Sequence, residues 1–135
     1  MILQSVQSGL PFLIAHFGVS ITIFLVGLWV YALVTPINEL ELIRSGNIAA
    51  AISFLGASIG IAIPLAVCLA SSVNVTDIFV WGSIAVILQL VCFKVVDVFL
   101  KDLSKRITDG EIGVSIVLIS FKISIAILNA AALSG

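Results

Sequence analysis

Apolar residues occupy this chain in four long blocks, about 10–35, 47–71, 78–100 and 111–133, with short polar segments between them. Each block reaches the roughly 20 residues that a helix rising about 1.5 Å per residue needs to cross a bilayer core. The pattern therefore predicts four transmembrane helices. The intervening segments are too short to hold a domain of their own, so residues 1–135 read as one all-α integral membrane domain. The opening MILQSVQSG carries no Lys or Arg, and the apolar run after it is longer than that of a signal peptide, so the first block is expected as a retained helix.

The pattern also repeats. A shift of 64 residues lays SGNIAAAISFLGASIGIAIPLA (45–66) over DGEIGVSIVLISFKISIAILNA (109–130) without a gap, and Gly18/Gly82 and Ile23/Ile87 hold the same offset. The chain thus divides into two tandem two-helix units, 10–71 and 78–135, expected to be related by a pseudo-two-fold axis along the membrane normal. Helices two and four share a stripe of small residues at that offset: Ala49, Gly56 and Gly60 in one, Gly113, Ser120 and Ser124 in the other. Close packing across small residues is the usual adhesive between helices in lipid. These faces are expected to pack either within the subunit or between copies in a homo-oligomer.

Another face of helix four is polar. Glu111, Ser115, Lys122 and Asn129 project in nearly one direction at about 100° per residue. A Lys at the centre of a membrane helix costs about 2.5–3.5 kcal/mol on insertion scales, so it is expected to face a bundle interior or water. Snorkelling is a poor escape from mid-membrane. The nearest acidic candidates, Asp97 and Glu111 toward one side and Asp77 toward the other, lie away from its depth, which leaves Lys122 without an obvious counter-ion in a single chain. Three outcomes stay open: a neutral buried amine, a charged one in a hydrated cavity, or a ring of lysines around the pore of an oligomer. Gln89, Ser58 and Thr22 lie near the middles of the other helices as polar partners, and His16 is a second titratable group inside a span.

Composition sharpens the class and excludes others. At 61% apolar and 10% charged residues, with a mean hydropathy of +1.35, the chain lies far outside soluble averages. Its natural partner is the lipid bilayer. Six Lys and Arg against seven Asp and Glu give no basic surface for nucleic acid. Arg44 in segment 36–46, and Lys101, Lys105 and Arg106 in 101–110, place those connections in the cytoplasm by the positive-inside rule, with both termini on the far side. Asn47 or Ser45 is suited to cap helix two, and Asp109 and Glu111 suit the positive end of helix four. Cys68 and Cys92 are too far apart in depth to pair within a subunit. With one histidine there is no metal cluster, and no nucleophile–base pair or phosphate loop is present, so neither metal, cofactor nor enzymatic activity is expected.

TPINELELIRSGNIAAAISFLGASIGIAIPLA (35–66) and WGSIAVILQLVCF (81–93), with NAA at 129–131, resemble the YjfL-type bacterial inner-membrane proteins, catalogued as domain of unknown function number 350. The resemblance covers nearly the whole chain and implies four spans, a duplicated two-helix unit and a bacterial cytoplasmic membrane. It supplies no activity and no catalytic residues. Where the family pattern leads one to expect small residues through helix four, this chain has Glu111-Ile-Gly-Val and the central Lys122. Two functions follow as expectations: an oligomeric channel or transport path for a small solute or ion built on Lys122, or an adaptor whose charged connections recruit a soluble cytoplasmic partner.

Overall fold

The computed structural model describes residues 1–134, which form the helices α1 (Ile2–Val34), α2 (Glu39–Arg44), α3 (Ile48–Ser71), α4 (Val75–Phe99), α5 (Lys101–Thr108) and α6 (Ile112–Ser134). The four long ones, α1, α3, α4 and α6, are apolar and long enough to cross a membrane. Three of them match the predicted blocks within three residues at each end. The first does not, because α1 begins at Ile2 and not near residue 10. Gln4, Ser5, Gln7 and Ser8 lower the hydropathy there but do not break a helix: the Ser5 and Ser8 hydroxyls donate to the carbonyls of Met1 and Gln4 in their own helix. Hydropathy marks what fits in hydrocarbon, not where helical hydrogen bonding stops.

The connections are also more ordered than short loops. Asn38 caps α2 by accepting from the Glu41 amide at 3.2 Å, and Asn74 caps α4 by accepting from that of Asp77 at 2.9 Å. Gly46 and Gly110 end α2 and α5 with positive φ, 92° and 86°. In each, the glycine amide donates three residues back and the following amide five back, Gly46 to Ile43 and Asn47 to Leu42, Gly110 to Ile107 and Glu111 to Arg106. Only a residue that enters the left-handed region freely closes this cap. Asn47 then caps α3 by accepting from Ala50, while its amide group donates to the carbonyls of Ile107 and Thr108, tying the start of α3 to the end of α5. Ser45, the other candidate cap, bonds back to Leu42.

In cross-section α3 and α4 form the middle of the bundle, with α1 and α6 on its flanks and the closest packing between α3 and α6. Gly56 makes that closeness possible. A Cβ there would fall on the Ile119 side chain and within 3.3 Å of its Cα. At Gly60 it would meet Phe93 Cζ at 2.6 Å. Ala49, Gly56 and Gly60 thus pack inside the chain, whereas Gly113, Ser120 and Ser124 lie on the exposed face of α6. The small-residue stripe of the fourth transmembrane helix is not a packing face within this subunit. The main apolar core joins Ile23 and Tyr31 of α1, Ala57, Ile61 and Leu65 of α3, and Ile78, Val86 and Phe93 of α4.

Candidate functional site

The charged end of the bundle interior is built from three helical stripes and one short helix. Tyr31 ends the buried stripe His16, Ser20, Ile23, Gly27 of α1; Gln89, Phe93 and Asp97 follow one another by fours on α4; Ser115, Leu118, Lys122, Ala126 and Asn129 form the buried stripe of α6. The short helix α2 tucks Glu39 beneath them.

Lys122 is fully buried and has a counter-ion in its own chain: its Nζ lies 3.3 Å from Asp97 Oδ1. This corrects the expectation from depth alone. α4 and α6 run antiparallel, as the bonds from Gln89 Nε2 to the Lys122 carbonyl and from Asn129 Nδ2 to the Ala85 carbonyl show. Side chains lean toward the N-terminus of their own helix, so Lys122 leans toward the charged end and Asp97 leans away from it, and they close a backbone offset of roughly two turns, about 10 Å.

The ammonium is further held by aromatic faces. It donates to the Tyr31 hydroxyl at 3.4 Å and lies 5.1 Å and 5.2 Å from the ring centroids of Tyr31 and Phe93, which pack edge to face. Gly60 leaves room for Phe93 beside the Lys122 backbone. The Tyr31 hydroxyl in turn donates to Glu39 Oε1 at 2.9 Å, and Ser53 donates to the same oxygen at 2.8 Å. Glu39 Oε2 is buried without a hydrogen-bond partner. Burial pushes the Glu39 carboxyl pKa up, against the pull of the Ser53 and Tyr31 hydrogen bonds and the Lys122 charge. Of the two buried acids, Asp97 thus pairs with the ammonium directly and Glu39 is joined to it through the Tyr31 hydroxyl.

Toward the other end the polar interior continues as neutral amides. Asn129 donates to Gln89 Oε1 at 3.1 Å, and Asn129 Oδ1 is buried without a partner. Gln89 reaches the Lys122 carbonyl and not its amine.

The remaining sequence candidates lie elsewhere. Ser115 is buried and bonds to the Ile112 carbonyl of its own helix. Glu111 is exposed and pairs with Arg106, which holds its carboxyl below the usual carboxylate range. It does not belong to the interior line. Thr22 and Ser58 satisfy their hydroxyls on carbonyls of their own helices, of Gly18 and Phe54, so they offer Lys122 nothing. His16 stacks on Phe12 and donates through Nδ1 to the Phe12 carbonyl, about 22 Å along α1 from Tyr31. It is separate from the Lys122 cluster. Because Lys122 faces the interior of its own chain, a ring of these lysines around an axis between copies is excluded. Tyr31, Glu39 and Ser53 are the site residues that sequence reasoning passed over, and Asp97 is the candidate it set aside on depth.

The exposed charges form a second feature. Glu41, Arg44, Lys101, Asp102, Lys105 and Arg106 surround the end that carries α2 and α5. Among the described residues no group of three or more His, Cys, Asp or Glu is placed to hold a metal ion, and both Cys68 and Cys92 are free thiols.

Residues 5–133 match the family model described as Domain of Unknown Function (DUF350). The chain is 31% identical over 120 residues to the UPF0719 inner membrane protein YjfL of Escherichia coli strain K12, covering 89% of this chain and 91% of that protein. The same figures hold for the protein of that name in Escherichia coli O157:H7. No solved structure matches the chain.

Proposed function

The chain belongs to the DUF350 family, and on that premise we propose that it is a bacterial inner-membrane protein that moves protons through its own interior by way of Glu39, Tyr31, Lys122 and Asp97. The observation that carries this reading is a buried ammonium that pairs directly with one buried carboxyl group, Asp97, and is linked through the Tyr31 hydroxyl to a second, Glu39. Intramembrane ionisable groups that face a bundle interior are the usual components of proton relays.

The hydrogen bonds give the relay a direction. Lys122 N–H donates to the Tyr31 oxygen, and Tyr31 O–H donates to Glu39. A concerted shift breaks the N–H bond of Lys122 and the O–H bond of Tyr31. It forms a new O–H on Tyr31 and one on Glu39, leaving a neutral amine and a neutral carboxylic acid. Glu39 then gives its proton to water at the end carrying α2 and α5, and the amine is reprotonated by water entering from the opposite end, past the Gln89 and Asn129 amides, while Asp97 remains its counter-ion. A proton needs no lumen, which suits a lysine with no exposed surface.

Three further features belong to this reading. The positive-inside rule puts α2 and α5 in the cytoplasm. The tandem two-helix repeat is supported by the matching glycine-closed caps at Gly46 and Gly110, 64 residues apart, and by the packing of α3 on α6 and α1 on α4. Copies associate through the exposed Gly113, Ser120 and Ser124 face of α6.

The test is proton flux into liposomes that hold the pure protein and a trapped pH dye, driven by an imposed potential. Flux above protein-free vesicles is expected, falling at least tenfold in Asp97→Asn. Wild-type vesicles no leakier than empty ones would overturn the proposal. A second reading, an adaptor for a soluble partner, is favoured by the exposed Lys101, Asp102 and Lys105 on α5. Photo-crosslinking from Glu41, Lys101 or Lys105 in native membranes that captures only copies of this chain would remove its basis.

A further inference from the structure

A crevice of about 380 Å³ opens at the end of the bundle remote from α2 and α5, between the last turns of α3 (Cys68, Ser71, Ser72), the first turns of α4 (Asp77, Trp81) and the end of α6 at Ala132. Its volume is that of a site for a small molecule. It shares no residue with the Lys122 cluster, and nothing in the relay described above uses it.

Its one charged side chain is acidic. Asp77 is the sole charged side chain between residues 45 and 93, and no Lys or Arg occurs in 1–43 or 123–135, so no Lys or Arg at this end neutralises it. At the same mouth α3 and α6 end, and the last carbonyls of a helix lack intrahelical donors and carry partial negative charge.

The walls supply a second kind of contact. Trp81 lies four residues after Asp77, hence on the same face of α4, and is more than half exposed. Its indole offers an apolar wall and a π face beside the carboxylate. The buried Cys68 and the Ala132 methyl complete an apolar lining.

We propose that this crevice binds a small organic monocation with an alkyl body, its ammonium on Asp77 and its hydrocarbon against Trp81, Cys68 and Ala132. An anion of the same shape is repelled by the carboxylate and by two helix ends. A neutral alcohol keeps only the apolar contact. The ammonium can belong to a free amine or to a lipid headgroup, since the contacts are the same for both.

The experiment titrates butylammonium into nanodiscs of phosphatidylglycerol that hold the full chain, with Trp29→Phe so that Trp81 is the sole reporter. A saturable change in Trp81 fluorescence is expected. Its midpoint should move up at least tenfold in Asp77→Asn, and butyrate should give none. A parallel series with phosphatidylethanolamine in the discs assigns the source: a weaker apparent affinity means that the headgroup amine occupies the site, and an unchanged one means that a free amine does. Because Asp77→Asn alters the start of α4, a second readout keeps the test sound: in Cys92→Ser protein, butylammonium should slow maleimide labelling of Cys68. No saturable signal, equal affinity in Asp77→Asn, or equal binding of butyrate or butanol overturns the proposal, and so does labelling of Cys68 that butylammonium leaves unchanged. Asp97→Asn should leave this binding intact, so the site and the proton relay fail or stand separately.

Discussion

Asp97 and Lys122 meet 3.3 Å apart because their helices run antiparallel and each side chain leans toward the other's level. The pair closes the bundle from α4 to α6, and the Tyr31 hydroxyl extends it to α1 and, through Glu39 and Ser53, to α2 and α3. Five helices are thus joined through one polar centre of apolar surroundings.

Removing one partner of that pair should cost far more than removing both. Lys122→Met leaves Asp97 as an uncompensated buried charge, a change worth about 3–5 kcal/mol in comparable pairs, whereas apolar replacement of a whole buried pair is often close to neutral. The double variant Lys122→Met with Asp97→Leu should therefore recover most of the stability lost in Lys122→Met. Unfolding in mixed detergent micelles across the double-mutant cycle measures the coupling. Additive costs would mean that the two groups do not interact.

Much of this arrangement is legible in the sequence, and the part that is not has a definite cause. Membrane thickness fixes the length of a span, so α3, α4 and α6 are found within three residues at each end. The seven-residue spacing of Ser115, Lys122 and Asn129 marks a buried face of α6, and all three are buried. The counter-ion was hidden because comparing backbone depth ignores side-chain length and lean. The spacing by fours of Gln89, Phe93 and Asp97 on α4 is the signal that would have found it. Glu39 had no such signal. It sits in the polar run NELELIR beside Glu41, and only the docking of α2 under Tyr31 and Ser53 separates the buried acid from the exposed one.

Glu39 predicts a pH dependence whose sign can be worked out. Burial raises its carboxyl pKa above the unfolded value, so the folded chain binds this proton more tightly. Between the unfolded and folded pKa the native state holds more protons, and stability falls as pH rises through that window. Glu39→Gln should keep an acceptor for Tyr31 and Ser53 and remove the titration. Melting temperature followed from acid to neutral pH should decline in the wild type and run flatter in Glu39→Gln. A parallel decline in both would assign the dependence to another group.

The close approach of α3 and α6 predicts a contrast among glycines. Gly56→Ala puts a methyl against the Ile119 side chain near its backbone, and Gly60→Ala puts one against the Phe93 ring that supports Lys122. Overpacking of this kind costs about 1–3 kcal/mol. Gly113→Ala meets no atom within 4 Å and lies inside α6, so it should be neutral or stabilising in the monomer. The same unfolding measurement ranks all three. If instead Gly113→Ala weakens self-association while leaving monomer unfolding unchanged, the exposed face of α6 is a contact between copies.

Tyr31→Phe tests whether the hydroxyl does more than hold the bundle. The substitution keeps the ring that packs edge to face on Phe93 and lies 5.1 Å from the Lys122 ammonium. It deletes only the oxygen between Lys122 and Glu39. Loss of that buried hydrogen bond leaves Glu39 Oε1 with Ser53 alone and should cost about 1–3 kcal/mol. If the hydroxyl carries the proton between the amine and the carboxylate, flux in liposomes should fall at least tenfold in protein that remains folded. Full flux through Tyr31→Phe vesicles would show that the proton does not pass this oxygen, and would leave Tyr31 a purely structural link between α1 and α2.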